Sequence, residues 1–263
     1  MASRLEPVLR QRIFEARYEH GWRYLDRCGE LMLILENLLE EYTGCAWMAG
    51  EISPASAHLK CPGLDMVLLF NARRLVLDQN PVGDVDCDFT RLAADALATL
   101  KARFDLREMN RFGSRRIKIV PADSVDDAQK LSVKWCPVKE WRRSPSSTLP
   151  PREYECTSSF EAEDRSRGVQ VIVKPYAAVG TELKVDERLR LPPHHLHERQ
   201  REALVEQLKR ARQRRQEPEA GLLIDIDYYA LWPPEGYTVS EFLKEAQEVA
   251  DILESDLIEE RRR

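Results

Sequence analysis

The chain has no long apolar run, no paired cysteines and no dominance of one charge sign, and each lack closes off a class of protein. The longest apolar stretch, Leu31 to Leu39, is broken by Glu36 and Asn37 and falls short of the roughly 20 residues that span a bilayer. No membrane partner is expected. The opening residues, MASRLEPVLRQR, hold no apolar core of a secretory leader, and the six cysteines, Cys28, Cys45, Cys61, Cys87, Cys136 and Cys156, form no CxxC pair. That pattern suits a reducing cytoplasm rather than a disulfide-built secreted domain. Forty Lys and Arg against 45 Asp and Glu give a formal charge of −5, which argues against whole-surface attraction to nucleic acid. GxGxxG, Walker A, GxSxG, HExxH and the protein-kinase motifs are all absent. The commonest nucleotide-binding and hydrolytic chemistries have no support, and no cofactor is expected.

What is present is periodicity. Ile13 to Tyr18 reads as a strand, and Leu25, Cys28, Leu31, Met32, Leu35, Leu38, Leu39 and Tyr42 recur at three- and four-residue steps, as in a core-facing helix of about five turns. On that stripe Cys28 is a core residue. Met66–Phe70 and Leu75–Asp78, separated by Asn71-Ala72-Arg73-Arg74, predict an antiparallel hairpin. Phe89, Leu92, Ala93, Ala96, Leu97, Leu100 and Phe104 predict a second helix, introduced by Asp86 and Asp88. A strand over Arg115–Val120 stops at Pro121.

The composition then turns polar between Pro121 and Leu131, and again between Trp141 and Pro151, where Pro and Ser disfavour either regular structure. A boundary is placed here, giving an N-terminal half over 1–125 and a C-terminal half over 126–263. The second half reads as strands over 153–161 and 169–174, a charged helix over 195–215, a strand over 222–232 and a C-terminal amphipathic helix. That last helix carries Val239, Phe242, Leu243, Ala246, Val249, Ala250, Leu253 and Leu257 on one face. The expected fold is α+β, two sheet-and-helix halves with mostly antiparallel strands.

Three constellations could carry chemistry. Asp225 and Asp227 stand two apart on a strand, so they share one face with Cα atoms about 7 Å apart. With a third acid they could hold a divalent metal for phosphodiester chemistry; otherwise they line a solvated face. The opposite face, Leu222, Ile224, Ile226, Tyr228, Ala230 and Trp232, is the expected core side. His194, His197 and Glu198 would share a helix face if the helix has already begun, as a transition-metal site requires; His195 lies between them, and the preceding prolines point instead to a frayed start. Lys209, Arg210, Arg212, Arg214 and Arg215 concentrate positive charge that could meet nucleic-acid phosphates, although Glu202, Glu206 and Glu217 dilute it. A further basic group is Arg111, Arg115, Arg116 and Lys118, and Trp135 and Trp141 flank Lys134, Lys139, Arg142 and Arg143 in a mixture suited to stacking on bases.

Phe14-Glu15-Ala16-Arg17-Tyr18, Asn110-Arg111-Phe112-Gly113-Ser114-Arg115-Arg116-Ile117 and Ile224-Asp225-Ile226-Asp227-Tyr228-Tyr229, in that order and followed by a C-terminal helix, resemble a sporadically distributed family of prokaryotic proteins of about this length. The resemblance runs from about residue 11 to 255. The chain departs from the family pattern at Arg116-Ile117, where an aromatic and an Asn are usual, and at Gln247, near the place of a usual His. The family carries no established activity, so the resemblance implies a bacterial or archaeal cytoplasmic protein and transfers no catalytic residue. Its sporadic occurrence suggests a mobile or defence-associated locus. The combined expectation is a binding or interaction protein that self-associates or binds a partner protein. A metal-dependent enzyme using Asp225 and Asp227, and a nucleic-acid binder using Lys209 to Arg215, are the alternatives.

Overall fold

A computed structural model describes residues 7–80, 87–135, 155–178, 193–214 and 218–260. Among the described residues nine strands form one antiparallel sheet. In chain order they are β1 (Val8–Tyr18), β2 (Met48–Ile52), β3 (Ala57–Cys61), β4 (Met66–Phe70), β5 (Arg74–Gln79), β6 (Met109–Pro121), β7 (Cys156–Glu161), β8 (Arg167–Ala177) and β9 (Ala220–Leu231). Their order across the sheet is β2-β3-β4-β5-β1-β6-β9-β8-β7. The helices are α1 (Tyr24–Thr43), α2 (Phe89–Phe104), α3 (Val125–Trp135), α4 (Glu198–Arg214) and α5 (Val239–Glu260). The fold is α+β with a C-terminal helix, and segments 1–125 and 126–263 meet edge to edge where β6 pairs with β9.

Period-two alternation sets the two faces. Phe14, Ala16 and Tyr18 of β1, Leu75 and Leu77 of β5, and Ile224, Ile226 and Tyr228 of β9 point into one core with Leu31, Leu35 and Leu39 of α1, Leu92, Ala96 and Leu100 of α2, and Phe242, Ala246 and Ala250 of α5. Aromatic rings knit it: Phe242 lies 5.5 Å from Phe112, 5.6 Å from Tyr228 and 6.3 Å from Phe14 between centroids. The hairpin turn falls where expected, because the Asn71 side chain accepts from the backbone N–H groups of Arg73 and Arg74.

Helix ends follow local chemistry. Asp88 caps α2 by accepting from Arg91 N–H at 3.0 Å. Gly44 ends α1 in the left-handed region at φ 60°. Thr238 and Glu241 form a reciprocal capping box at the start of α5, with Thr238 Oγ1 accepting from Glu241 N–H and Glu241 Oε2 accepting from Thr238 N–H. Hydrogen bonding of this kind holds the Glu241 carboxyl below the usual carboxylate range.

Several expectations need correction. The polar stretch after Pro121 is helical: α3 begins at Val125, with Ser124 accepting from Asp127 N–H, and lies against β8 and β9. Cys28 is half-buried against the core rather than enclosed by it. Trp232 is 62% exposed with φ 47°, because β9 ends at Leu231 and the chain turns before Trp232 can join the core side. The charged helix starts at Glu198 and not at His195, where a single 3-10 turn over Pro193–His195 follows two prolines. α4 then docks on the N-terminal segment, Arg199 reaching Glu40 of α1 at 2.6 Å and Glu36 at 3.4 Å. Among the described residues, no helix is long and apolar enough to cross a membrane.

Candidate functional site

The strands that carry the helices on one side carry a charged layer on the other. Register places Glu15 of β1 beside Gly113 of β6 and Val76 of β5, Arg17 beside Arg111 and Arg74, and Arg115 beside Asp227 of β9. All of these side chains point away from the helix-covered core. Glu15 sits among three arginines: Arg111 Nη1 at 2.8 Å, Arg17 Nη2 at 3.0 Å and Arg74 Nη1 at 3.6 Å. Arg111 also lies over the Tyr229 ring and approaches Asp227 at 3.6 Å. One carboxylate among three guanidinium groups leaves the β5-β1-β6 corner positive.

The expected aspartate pair is on this layer. Asp225 and Asp227 share a face as their spacing requires, but their environments differ. Asp225 is 5% exposed, and Arg115 grips both of its oxygens, Nε to Oδ1 at 2.8 Å and Nη2 to Oδ2 at 2.5 Å. That bidentate pair raises the Arg115 guanidinium above its ordinary value. The expectation of a solvated Asp225 therefore fails: the half of the face near the start of β9 is closed, with Ile117 and Ile119 also buried. A cation could use both oxygens of Asp225 only by displacing Arg115. Burial pushes the Asp227 carboxyl up, against the opposing pull of Arg111 and Arg115. Asp78 on β5 is likewise raised by burial, although Gln11 Nε2 donates to both its oxygens at 2.9 and 3.1 Å.

The raised Asp227 has a testable consequence. Its folded form keeps a proton that the unfolded chain, with an ordinary value of about 3.9, has released. Stability contributed by the protonated form is thus lost as pH rises through the interval between the two values, and it stays lost above it. Asp227→Asn should show a rising melting temperature relative to the parent across that interval. Parallel melting curves from about pH 3 to pH 7 would rule the burial account out.

The other expected sites are not brought together. The rings of His194 and His195 lie 4.2 Å apart between centroids, tilted by 45°, and both residues are exposed. His197 precedes α4, its N–H donating to Gln200 Oε1 and its carbonyl accepting from Arg201 N–H, so it does not share a helix face with His194. Glu198 is exposed in the first turn. Among the described residues, no group of three or more His, Cys, Asp or Glu is placed to hold a metal. Lys209 is exposed and pairs with Glu206 at 2.5 Å. Arg210, Arg212 and Arg214 lie on α4, but their side chains, like all of Arg215, Trp141, Arg142 and Arg143, fall outside the described residues.

The basic group Arg111, Arg115, Arg116 and Lys118 is divided by the strand period. Arg111 and Arg115 face the charged layer, whereas Arg116 and Lys118 point toward α5. Sequence reasoning treated them as one patch and also overlooked Glu15, the hub of the layer. Alternation within Phe14-Glu15-Ala16-Arg17-Tyr18 was the available signal, since it puts both charges on the side away from the aromatics. No protein-family model matches the chain, and no curated protein is similar to it.

Proposed function

We propose that the protein is a binding module that self-associates, two copies packing their charged sheet faces together, rather than a catalyst. The observation carrying this reading is the separation of charge along the strand order. Arg17, Arg74 and Arg111 make a positive corner on β1, β5 and β6, while Asp227 on β9 and the exposed Glu161 on β7 lie on the other side. A two-fold axis running parallel to the strands between β6 and β9 of two facing sheets lays β6 over β9 and β5 over β7, so the positive corner of each copy meets the acids of the other and every favourable contact occurs twice. Half-buried Ile13, Val67, Leu69 and Val76 supply apolar area between the charges. Sheets packed face to face stand about 10 Å apart, which leaves room for such side chains. A cytoplasmic setting belongs to the same proposal and rests on the scattered cysteines.

The test is the native mass at increasing concentration. The expected particle has twice the chain mass of 30.5 kDa. Arg74→Glu should weaken the dimer about tenfold or more, because like charges then meet at two equivalent places. Adding Glu161→Arg to that variant should restore the dimer by exchanging the charges. A monomer at every concentration, or a double variant no better than the single one, would overturn the reading.

A further inference from the structure

The helix-covered side of the same three central strands holds a feature that the charged layer does not explain. Between β1, β6 and β9 below and the start of α2 and the middle of α5 above lies a cavity of about 290 Å³. Arg12 and Arg116, direct Cα partners on β1 and β6, both point into it. Like charges opposite one another on adjacent strands repel, since their Cβ atoms stand only about 5 Å apart. The helix side of a sheet is where that repulsion is screened least.

The two arginines are not equally satisfied. Arg116 reaches Asp251 at 3.0 Å and Glu254 at 3.4 Å, both on α5. Arg12 has no carboxylate within ion-pair distance among the described residues. Its Nε donates to Gln79 Oε1 at 2.5 Å, its Nη2 to the Cys87 carbonyl at 3.3 Å, and its guanidinium lies over the Phe89 ring, 4.5 Å from the centroid. Neutral acceptors and a ring hold it in place, and among the described residues no carboxylate touches it directly. Burial lowers the Arg12 guanidinium from its ordinary value; the Arg116 charge acts in the same direction, and Cys87 and Asp88 act against it.

The rest of the lining continues the theme. Lys244 adds a further cation, Ser114, Ser240 and Thr90 offer hydroxyl groups, and among the described residues no Asp or Glu lines the cavity. Phe89 and Thr90 belong to the first turn of α2, whose N-terminal end is the positive end of its dipole. Gln247 adds an amide, and Ile226, Leu243 and Ala246 make an apolar wall.

We propose that this cavity binds a small organic oxyanion, a phosphate or carboxylate group seated between Arg12 and Arg116 with a compact apolar body against β9 and α5. The volume suits a ligand near the lower end of the usual range for small-molecule sites. The anion supplies a direct ionic partner for Arg12, and two guanidinium forks match the planar or tetrahedral oxygens of either group. The apolar walls exclude water from the side away from the charges, which strengthens the ion pairing.

Titration calorimetry of the purified full chain with phenyl phosphate, benzoate, inorganic phosphate and benzyl alcohol tests this. Phenyl phosphate or benzoate should bind, whichever wins identifying the anionic group; inorganic phosphate should bind more weakly, and neutral benzyl alcohol should not bind. Arg12→Met should weaken binding at least tenfold. Arg12→Met relieves the Arg12–Arg116 repulsion but takes the donor from buried Gln79, so its melting curve is recorded alongside, and a cooperative folded transition with binding lost separates lost binding from lost folding. Absence of binding by every anion, binding of benzyl alcohol as tight as that of phenyl phosphate, or undiminished binding by a folded Arg12→Met protein would overturn the proposal.

Discussion

Phe242→Ala should unfold at markedly lower urea concentration than the parent, with a loss of about 3–5 kcal/mol. Phe242 is fully enclosed and sits where three strands and the turn into α5 converge: its ring meets Phe14 of β1, Phe112 of β6, Tyr228 of β9 and Tyr237 just ahead of the helix. Truncation removes the transfer free energy of the ring and leaves a hole whose walls are themselves rings anchored on a sheet, which cannot collapse far. Tyr228 and Tyr237 are further fixed because both hydroxyls donate to Glu245 Oε2, at 3.2 and 2.7 Å, an acceptor that Arg167 also reaches at 3.0 Å. The loss is a large share of the roughly 5–15 kcal/mol that holds a domain folded. Leu33→Ala on α1, where the side chain is 64% exposed, is the matched control and should stay within about 0.5 kcal/mol of the parent. Equal midpoints for the two variants would show that the aromatic cluster is not the centre of the core.

How much of this was legible beforehand depended on whether charge and period agreed. α2 and α5 could be read because their apolar residues follow helical spacing almost without interruption, and both begin at a side-chain cap, Asp88 and Thr238. The Met66–Phe70 and Leu75–Asp78 hairpin and the core side of β9 were equally plain from alternation. The first part of β6 was not. Asn110-Arg111-Phe112-Gly113-Ser114 lies outside the strand read over Arg115–Val120, yet the strand runs from Met109 to Pro121 because two neighbours, β1 and β9, pair along its length. β2 and β3 have five residues each and too little pattern to stand out. Tertiary pairing decided those segments.

The candidate sites divide in the same way. Asp225 and Asp227 were correctly placed on one face, since a period of two leaves no alternative, but their partners lay on other strands and sequence spacing carries no information about register. The inward arginines were hidden for a different reason. Arg12 and Arg116 occupy positions in phase with Phe14 and Phe112, which marks them as facing the helices, whereas their charge invites the opposite assignment. A charged residue in phase with an apolar stripe is the signal that was present and unused.

Glu254→Ala should lower stability by a further large step, about 3–5 kcal/mol, through a mechanism unlike that of Phe242. Glu254 is an acid on the apolar stripe of α5, 6% exposed, and it lies over two inward cations of β6: Lys118 Nζ at 2.5 Å and Arg116 Nε at 3.4 Å. Removing it does not simply delete an attraction. Lys118, whose side chain is 15% exposed, is left in a poorly hydrated place without a counter-charge, while Arg116 keeps Asp251. The penalty should therefore be largely recovered when Lys118 is neutralised as well, so Lys118→Met with Glu254→Leu should approach the parent although both charges are gone. A double-mutant cycle in urea reads this as a coupling of 0.5–3 kcal/mol or more between the two sites. Additive single losses would mean that the ion pair is incidental to docking α5. The comparison also explains why Arg12 stands out. Three cations, Arg12, Arg116 and Lys118, face the helices, and the two acids of α5 that reach down, Asp251 and Glu254, meet only the last two. Helix α5 neutralises its own stretch of the sheet and stops short of the charge on β1, which places the proposed anion beside Arg12 and not beside Lys118.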